Sequence, residues 1–223
     1  MRGVGSVERD EHGRQFDRLV FFSDAVFAIA ITLLVLDLRL PPAIHGEVRF
    51  DGVQDKILGF GLSFAVIGLY WLSHHHLFGR LKAEDAIVRI VNLAFLASIA
   101  FLPFPTSVIA EYPSTTGPVR FYALSVALVG IMHAALTAVA RRPSLLRAGE
   151  TRGGTIRALI YTLAPPAVFL ASALVAGSDP GLATTMWWLV IPALLAAGMI
   201  GRRVQARIDR PAAPAAAGGP VQE

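Results

Sequence analysis

Six long apolar stretches alternate along the chain with short polar connections rich in Pro and Gly. The first, Phe21 to Leu36, is interrupted only by Ser23, Asp24 and Thr32. A helix needs ~20 mostly apolar residues to cross the hydrocarbon of a bilayer, and each stretch reaches that length with its flanks. The pattern predicts helices at about 16–38, 54–80, 84–102, 118–140, 155–176 and 182–204. Pro41-Pro42 stops the first, Pro103-Phe104-Pro105 breaks the third, and Pro165-Pro166 kinks the fifth. Glu84 and Asp85 suit the N-terminus of the third helix, and Trp187-Trp188 an interfacial position at the start of the sixth. The expected fold is all-α, a six-transmembrane-helix membrane protein. It comprises a mobile polar N-terminal tail (1–15), a helical domain (16–205) and a low-complexity, disordered tail (206–223).

Composition supports this reading. With 54% hydrophobic residues among 223 and a mean hydropathy of +0.57, the chain is too apolar for an ordinary soluble domain. Its 0 cysteines exclude disulfides and thiolate metal sites. A net charge of +4 and a pI near 10.0 suit a nucleic-acid partner, but the cations cluster between the apolar spans. One side collects Arg2, Arg9, Arg14, Arg18, Arg80, Lys82, Arg89, Arg141, Arg142, Arg147, Arg152, Arg202, Arg203, Arg207 and Arg210. The other holds Arg39, Arg49, Lys56 and Arg120. By the positive-inside rule both termini are expected in the cytoplasm, in a multi-pass protein of the cell membrane with lipid, not nucleic acid, around it. Glu8, Asp10, Glu11 and Asp17 precede the first span with no apolar signal region, so that span is expected to remain in the mature protein.

Few side chains carry chemistry. A carboxylate at mid-bilayer costs at least ~2.5 kcal/mol, so Asp24 is not incidental, although it sits toward the end of its span. It is either an interfacial residue paired with Arg or His from a neighbour or a functional group, and the two roles are compatible. Ile29, Leu33 and Leu36 recur at i, i+4, i+7 with Thr32 beside them, about 60° from Ile29. Periodicity alone reads such a stripe as lipid-facing or packed, because the helix is apolar all round. Successive helical residues point about 100° apart, so His74, His75 and His76 cannot converge on one metal ion. No metal or other cofactor is expected, and an interfacial polar cluster is the simpler reading. Trp71 and His75, four apart, share a face. Asn92, near the start of the third helix, reads as an interhelical hydrogen-bonding residue. A phosphate-binding loop, a GxSxG elbow, a dinucleotide fingerprint, a TVGYG filter and an arginine array of the voltage-sensor type are all missing. An enzyme is therefore not expected. The rival reading is a proton- or ion-coupled transporter using Asp24, against which stands the lack of acidic partners in the other spans.

Arg18-x-x-x-Phe22-Ser23-Asp24 and the run through Leu36 resemble the RxxxFSD signature of the endosomal and lysosomal potassium channels called transmembrane protein 175 and their short bacterial relatives. Asn92 and the residues to Thr106 resemble a second segment of that family. The resemblance implies a homotetramer of six-helix subunits in which the first helix lines a central pore. On this chain the pore-lining positions become Ile29, Leu33 and Leu36, with Thr32 beside them. Arg18, Phe22, Ser23 and Asp24 become a scaffold packed against Trp71 and one of His74, His75 and His76, which the sequence does not single out. The implied function is a leak-type, potassium-permeable cation channel, with K+ as the permeating ion and modest preference over Na+. Rings of branched aliphatic side chains cannot replace a hydration shell as carbonyls do, but they can form a hydrophobic constriction.

Overall fold

The computed structural model describes residues 4–38 and 53–210. The expected loop at 41–52 and the tail at 211–223 lie outside the described residues, as do Arg2, Arg39 and Arg49. The described residues are helical throughout, apart from turns and one isolated bridge. In order they form α1 (Val4–Leu33), a 3-10 turn (Leu34–Asp37), α2 (Val53–Phe78), α3 (Ala86–Phe101) and α4 (Pro103–Glu111). There follow α5 (Thr116–Ala140), α6 (Arg152–Val175), α7 (Pro180–Thr185), a second 3-10 turn (Met186–Leu189) and α8 (Val190–Ile208). Among the described residues, six spans are long and apolar enough to cross a membrane: Gly13–Leu36, Lys56–Phe78, Ala86–Glu111, Thr116–Ala140, Arg152–Val175 and Pro180–Ile208. The chain is an all-α, six-span membrane protein.

Boundaries depart from the sequence reading where proline or its absence rules. The first helix starts at Val4, not near 16, so most of the expected mobile tail is helical. No proline precedes Pro41, and a helix once nucleated by the apolar run propagates at little cost into the polar residues before it. Pro103 does not end the third span. Leu102 keeps helical dihedrals (φ −57, ψ −35), and Pro103 opens α4 at its first turn, where no amide hydrogen is needed. Thr106 closes the junction, its N–H and its hydroxyl both donating to the Leu102 carbonyl at 3.1 and 2.8 Å. Pro165 and Pro166 lie inside an unbroken α6. In the last span Trp187 turns inward. It packs on Tyr122 and Phe169 at centroid distances of 5.0 and 5.8 Å and donates its indole N–H to Ser172 Oγ at 2.8 Å, while Trp188 is exposed.

α5 is the most buried span and packs against α3, α4 and α6. α1 lies along α2 and α3 at the edge of this core, so that one of its faces is covered and the other is not. One end of the bundle is fastened by polar contacts. Leu81 and Leu146 form the isolated bridge, with Lys82 N–H donating to the Leu145 carbonyl (2.9 Å) and Arg147 N–H to that of Arg80 (3.0 Å). Arg142 donates to both Asp85 oxygens (2.9 and 2.7 Å), and Asp85 also caps α3 through the Val88 N–H. The α8 end joins the same group, because Asp209 accepts from Thr151 Oγ1 and Gly153 N at the start of α6.

Candidate functional site

The site is built on α1. Its covered face is Leu19, Ser23, Phe27, Ala30 and Leu34, all buried and spaced four, four, three and four residues apart. Small Ser23 and Ala30 let α3 approach closely, and the polar Ser23 is satisfied inside the core. Its hydroxyl donates to the Leu19 carbonyl (2.8 Å) and accepts from Asn92 Nδ2 on α3 (3.0 Å). The Asn92 Oδ1 lies 2.9 Å from His74 Nε2 on α2. An amide oxygen only accepts, so Nε2 carries the hydrogen of this bond. Ser23, Asn92 and His74 are each fully buried, so one hydrogen-bonded chain ties three spans together. Rings of Phe78, Phe27 and Phe95 surround the imidazole at centroid distances of 4.2, 5.6 and 5.9 Å.

Asp24 is held separately. Its Oδ1 accepts the Trp71 indole N–H at 2.8 Å, tying α1 to α2 on the flank of the Ser23 chain. The three histidines diverge as their helical spacing requires. His74 points into the core, His75 lies exposed with its ring 5.7 Å from that of Trp71, and exposed His76 donates from Nδ1 to the Leu72 carbonyl (2.7 Å). Of the three, His74 joins the helix 1 signature. The rival pairing of Asp24 with Arg or His does not occur among the described residues, where Arg18 is exposed with no partner.

The opposite side of α1 is uncovered. Ile29, Leu33 and Leu36 are 59%, 41% and 62% exposed, and Phe22 is 50% exposed. On the 3.6-residue period Arg18, Phe22, Ile29, Leu33 and Leu36 fall within about 60° of one another. Leu36 lies in the 3-10 turn, not in the α-helix that the stripe assumed. Because residues three apart eclipse in a 3-10 helix, this change stacks Leu36 more nearly over Leu33. Thr32 is exposed and donates its hydroxyl to the Ile29 carbonyl at 2.9 Å, leaving its oxygen lone pairs open. The structure thus brings Ser23, Asp24, Trp71, His74 and Asn92 together and leaves the Ile29 stripe, Arg18 and Phe22 on the other face.

Sequence reasoning missed a second polar junction. Ser63 Oγ lies 2.9 Å from Thr106 Oγ1 and 3.2 Å from Tyr122 Oη, joining α2, α4 and α5. Its signal was a hydroxyl residue in the middle of each of two apolar runs, a common sign of helix contact in membranes.

Residues 18–103 match the family described as the endosomal/lysosomal potassium channel TMEM175. A potassium channel of Streptomyces collinus is 41% identical over 98 residues, 43% of this chain and 48% of that protein. A potassium channel of Chamaesiphon minutus is 38% identical over 116 residues, 49% of this chain and 54% of that protein. The match thus spans about half the length of these curated relatives. A crystal structure of a lysosomal potassium-selective channel TMEM175 homolog from Chamaesiphon minutus superposes with a TM-score of 0.69 at 27% identity, covering 82% of this chain and 98% of that one. The matched segment holds the Arg18–Asp24 signature, Trp71, His74 and Asn92, so this part of the chain is similar to the TMEM175 family, and the six-span fold around it is similar to that of the Chamaesiphon minutus homolog.

Proposed function

We propose that this chain is one subunit of a potassium-permeable cation channel, a homotetramer whose four α1 helices surround the conduction path. The observation that carries this reading is the two-faced character of α1. One face is pinned to α2 and α3 by buried hydrogen bonds, and the other presents Ile29, Leu33 and Leu36 uncovered. Lipid also sees apolar faces, but this stripe runs on from Phe22 and Arg18, and a guanidinium belongs at a water-facing mouth. A single subunit encloses no path, so the conducting face needs copies of itself around an axis. The relatives named potassium channels support the choice of ion.

In such an assembly Ile29, Leu33 and Leu36 form stacked aliphatic rings with Thr32 beside them. These rings offer an ion no replacement for its water, so passage depends on the constriction staying wet and on how easily an ion deforms its hydration shell. Potassium holds water less tightly than sodium and passes more readily, which gives a leak-type conductance with modest selectivity. Asp24, Ser23, Asn92, Trp71 and His74 act as the scaffold that fixes α1. Both termini and the cation-rich end face the cytoplasm of a cell-membrane protein. Asp24, bonded to the Trp71 indole, serves as a positioning group and not as a coupling site.

The test is reversal potential, with purified protein in planar bilayers under a potassium gradient and then with sodium replacing potassium on one side. A reversal shifted toward the potassium potential, together with a particle mass of four subunits, supports the reading. Absent current, or a reversal unmoved by the sodium exchange, overturns it.

A further inference from the structure

The fastened end of the bundle holds an open cleft of about 580 Å³, within the ~300–1,000 Å³ range of small-molecule sites. Lys82, Arg141, Arg147 and Arg152 line it, and Glu150 is the sole carboxylate among its lining residues. That carboxylate is already neutralised. Its Oε1 accepts from Arg80 at 2.9 Å and its Oε2 from Arg141 at 2.6 Å, a pair in which Arg141 is itself buried. Lys82, Arg147 and Arg152 have no carboxylate partner among the described residues. Arg147 spends its Nε–H on the Leu81 carbonyl (3.0 Å), which fixes its guanidinium at the rim with the terminal amino groups uncommitted.

The wall is rigid. The Leu81–Leu146 bridge forms its base, and Gly149 at φ 93 makes the reversal that sends Glu150 back to Arg141. The α6 N-terminus is not the attractant, because Asp209 already occupies it. What remains is three cations around one cleft, Arg147 held and Lys82 and Arg152 exposed, with no carboxylate partner among the described residues, at the level where α2 has left its span and α6 begins. Basic pockets at this depth, on the side rich in Lys and Arg, meet phosphate-bearing headgroups.

We propose that this cleft binds a phosphate-ester anion, with Lys82, Arg147 and Arg152 as its cationic wall. A phosphate offers several oxygens to two guanidiniums and an ammonium at once, and guanidinium geometry suits it better than a lone carboxylate. The anion comes either from an anionic phospholipid headgroup or from a soluble phosphate ester. The inference uses only the membrane fold and stands whether or not the chain conducts potassium.

The experiment compares the wild type with Lys82→Gln/Arg152→Gln, both exposed positions, and with the charge-keeping Lys82→Arg/Arg152→Lys. Detergent-purified protein is titrated with short-chain phosphatidylglycerol against phosphatidylcholine by native mass spectrometry. Inorganic phosphate and glycerol phosphate are titrated by thermal shift. Binding that weakens about tenfold in the Gln variant and is kept in the charge-keeping one supports the site, consistent with loss of charge-assisted contacts. Phosphatidylglycerol alone then identifies a lipid headgroup, and stabilisation by the soluble ions a free ester. Binding equal in all three proteins, or no binding of any probe, overturns the proposal.

Discussion

At the scale of single residues, the scaffold rests on a few hydrogen bonds that bulk solvent cannot replace. The Trp71 indole and the Asp24 carboxylate form one of them at 2.8 Å. Trp71→Phe keeps an aromatic ring and deletes only the donor, so the carboxylate loses its partner in a half-buried place. We expect a loss of roughly 1–2 kcal/mol, read as a lower melting temperature in detergent. Asp24→Asn keeps an oxygen acceptor for the same indole and should cost less. If Asp24→Asn is the more damaging change, the charge and not the indole bond matters. Sequence alone could point to Trp71 and His75 as neighbours on one face, and the two rings do lie together. It could not select His74, because helical spacing gives each histidine a direction but not the position of α3. Asn92 decides that, and its contact with both Ser23 and His74 is a property of three spans meeting. For the same reason the Ile29 stripe was visible as a pattern, whereas the covered face of α1 was not. An all-apolar helix carries no contrast, and small residues do not supply it, because Ser23 and Ala30 are buried while Ala25 and Ala28 are exposed.

Between elements, contact distance decides what the sequence tolerates. Gly130 of α5 faces Pro166 of α6 so closely that a Cβ there would meet the proline ring atoms at 2.7–2.8 Å. Neither a proline ring nor the α6 backbone that carries it can swing aside. Gly130→Ala should therefore cost about 1–3 kcal/mol as an overpacked contact, and Pro166→Ala in the same chain should recover part of it. A Gly130→Ala protein as stable as wild type would mean that the two helices are free to separate. The helical spans and their order were legible because length and apolarity are one-dimensional signals. α3 does end just before Pro103, but the same proline opens α4 at its first turn, and sequence does not show that a breaker of one helix starts the next. The turn between α2 and α3 carries its own prediction. The Val88 N–H, then the Arg142 guanidinium, hold the Asp85 carboxyl below its ordinary pKa. A depressed pKa means that the stabilisation is fully present above the ordinary carboxylate value and is lost as pH falls through the lower folded value. The melting-temperature gap between wild type and Asp85→Ala should thus be constant near neutrality and close in acid. A gap that persists unchanged in acid would remove Asp85 from the fastening of that turn.

For the whole molecule, two adjacent leucines, Leu33 at the end of α1 and Leu34 in the 3-10 turn, can test whether folding and conduction separate as proposed. Leu34 is 2% exposed and packs into the subunit, whereas Leu33 is 41% exposed and faces the proposed axis. Truncating Leu34 removes core contacts, and Leu34→Ala should cost about 2–5 kcal/mol by leaving a cavity. Leu33→Ala removes little that the subunit uses and should leave stability within roughly 0.5 kcal/mol of wild type. In a tetramer, however, it deletes four branched side chains from one ring at once. The constriction widens, its barrier to wetting falls, and an ion crosses with more of its water in place. Single-channel current should therefore rise in Leu33→Ala while the preference for potassium over sodium shrinks, since selectivity by deformation of hydration needs a narrow ring. Leu34→Ala protein that still assembles should keep the wild-type reversal potential. The opposite pattern, with conduction following Leu34 and stability following Leu33, would turn α1 by about 100°, the angle between successive helical residues, and place the conducting path on the Leu34 side.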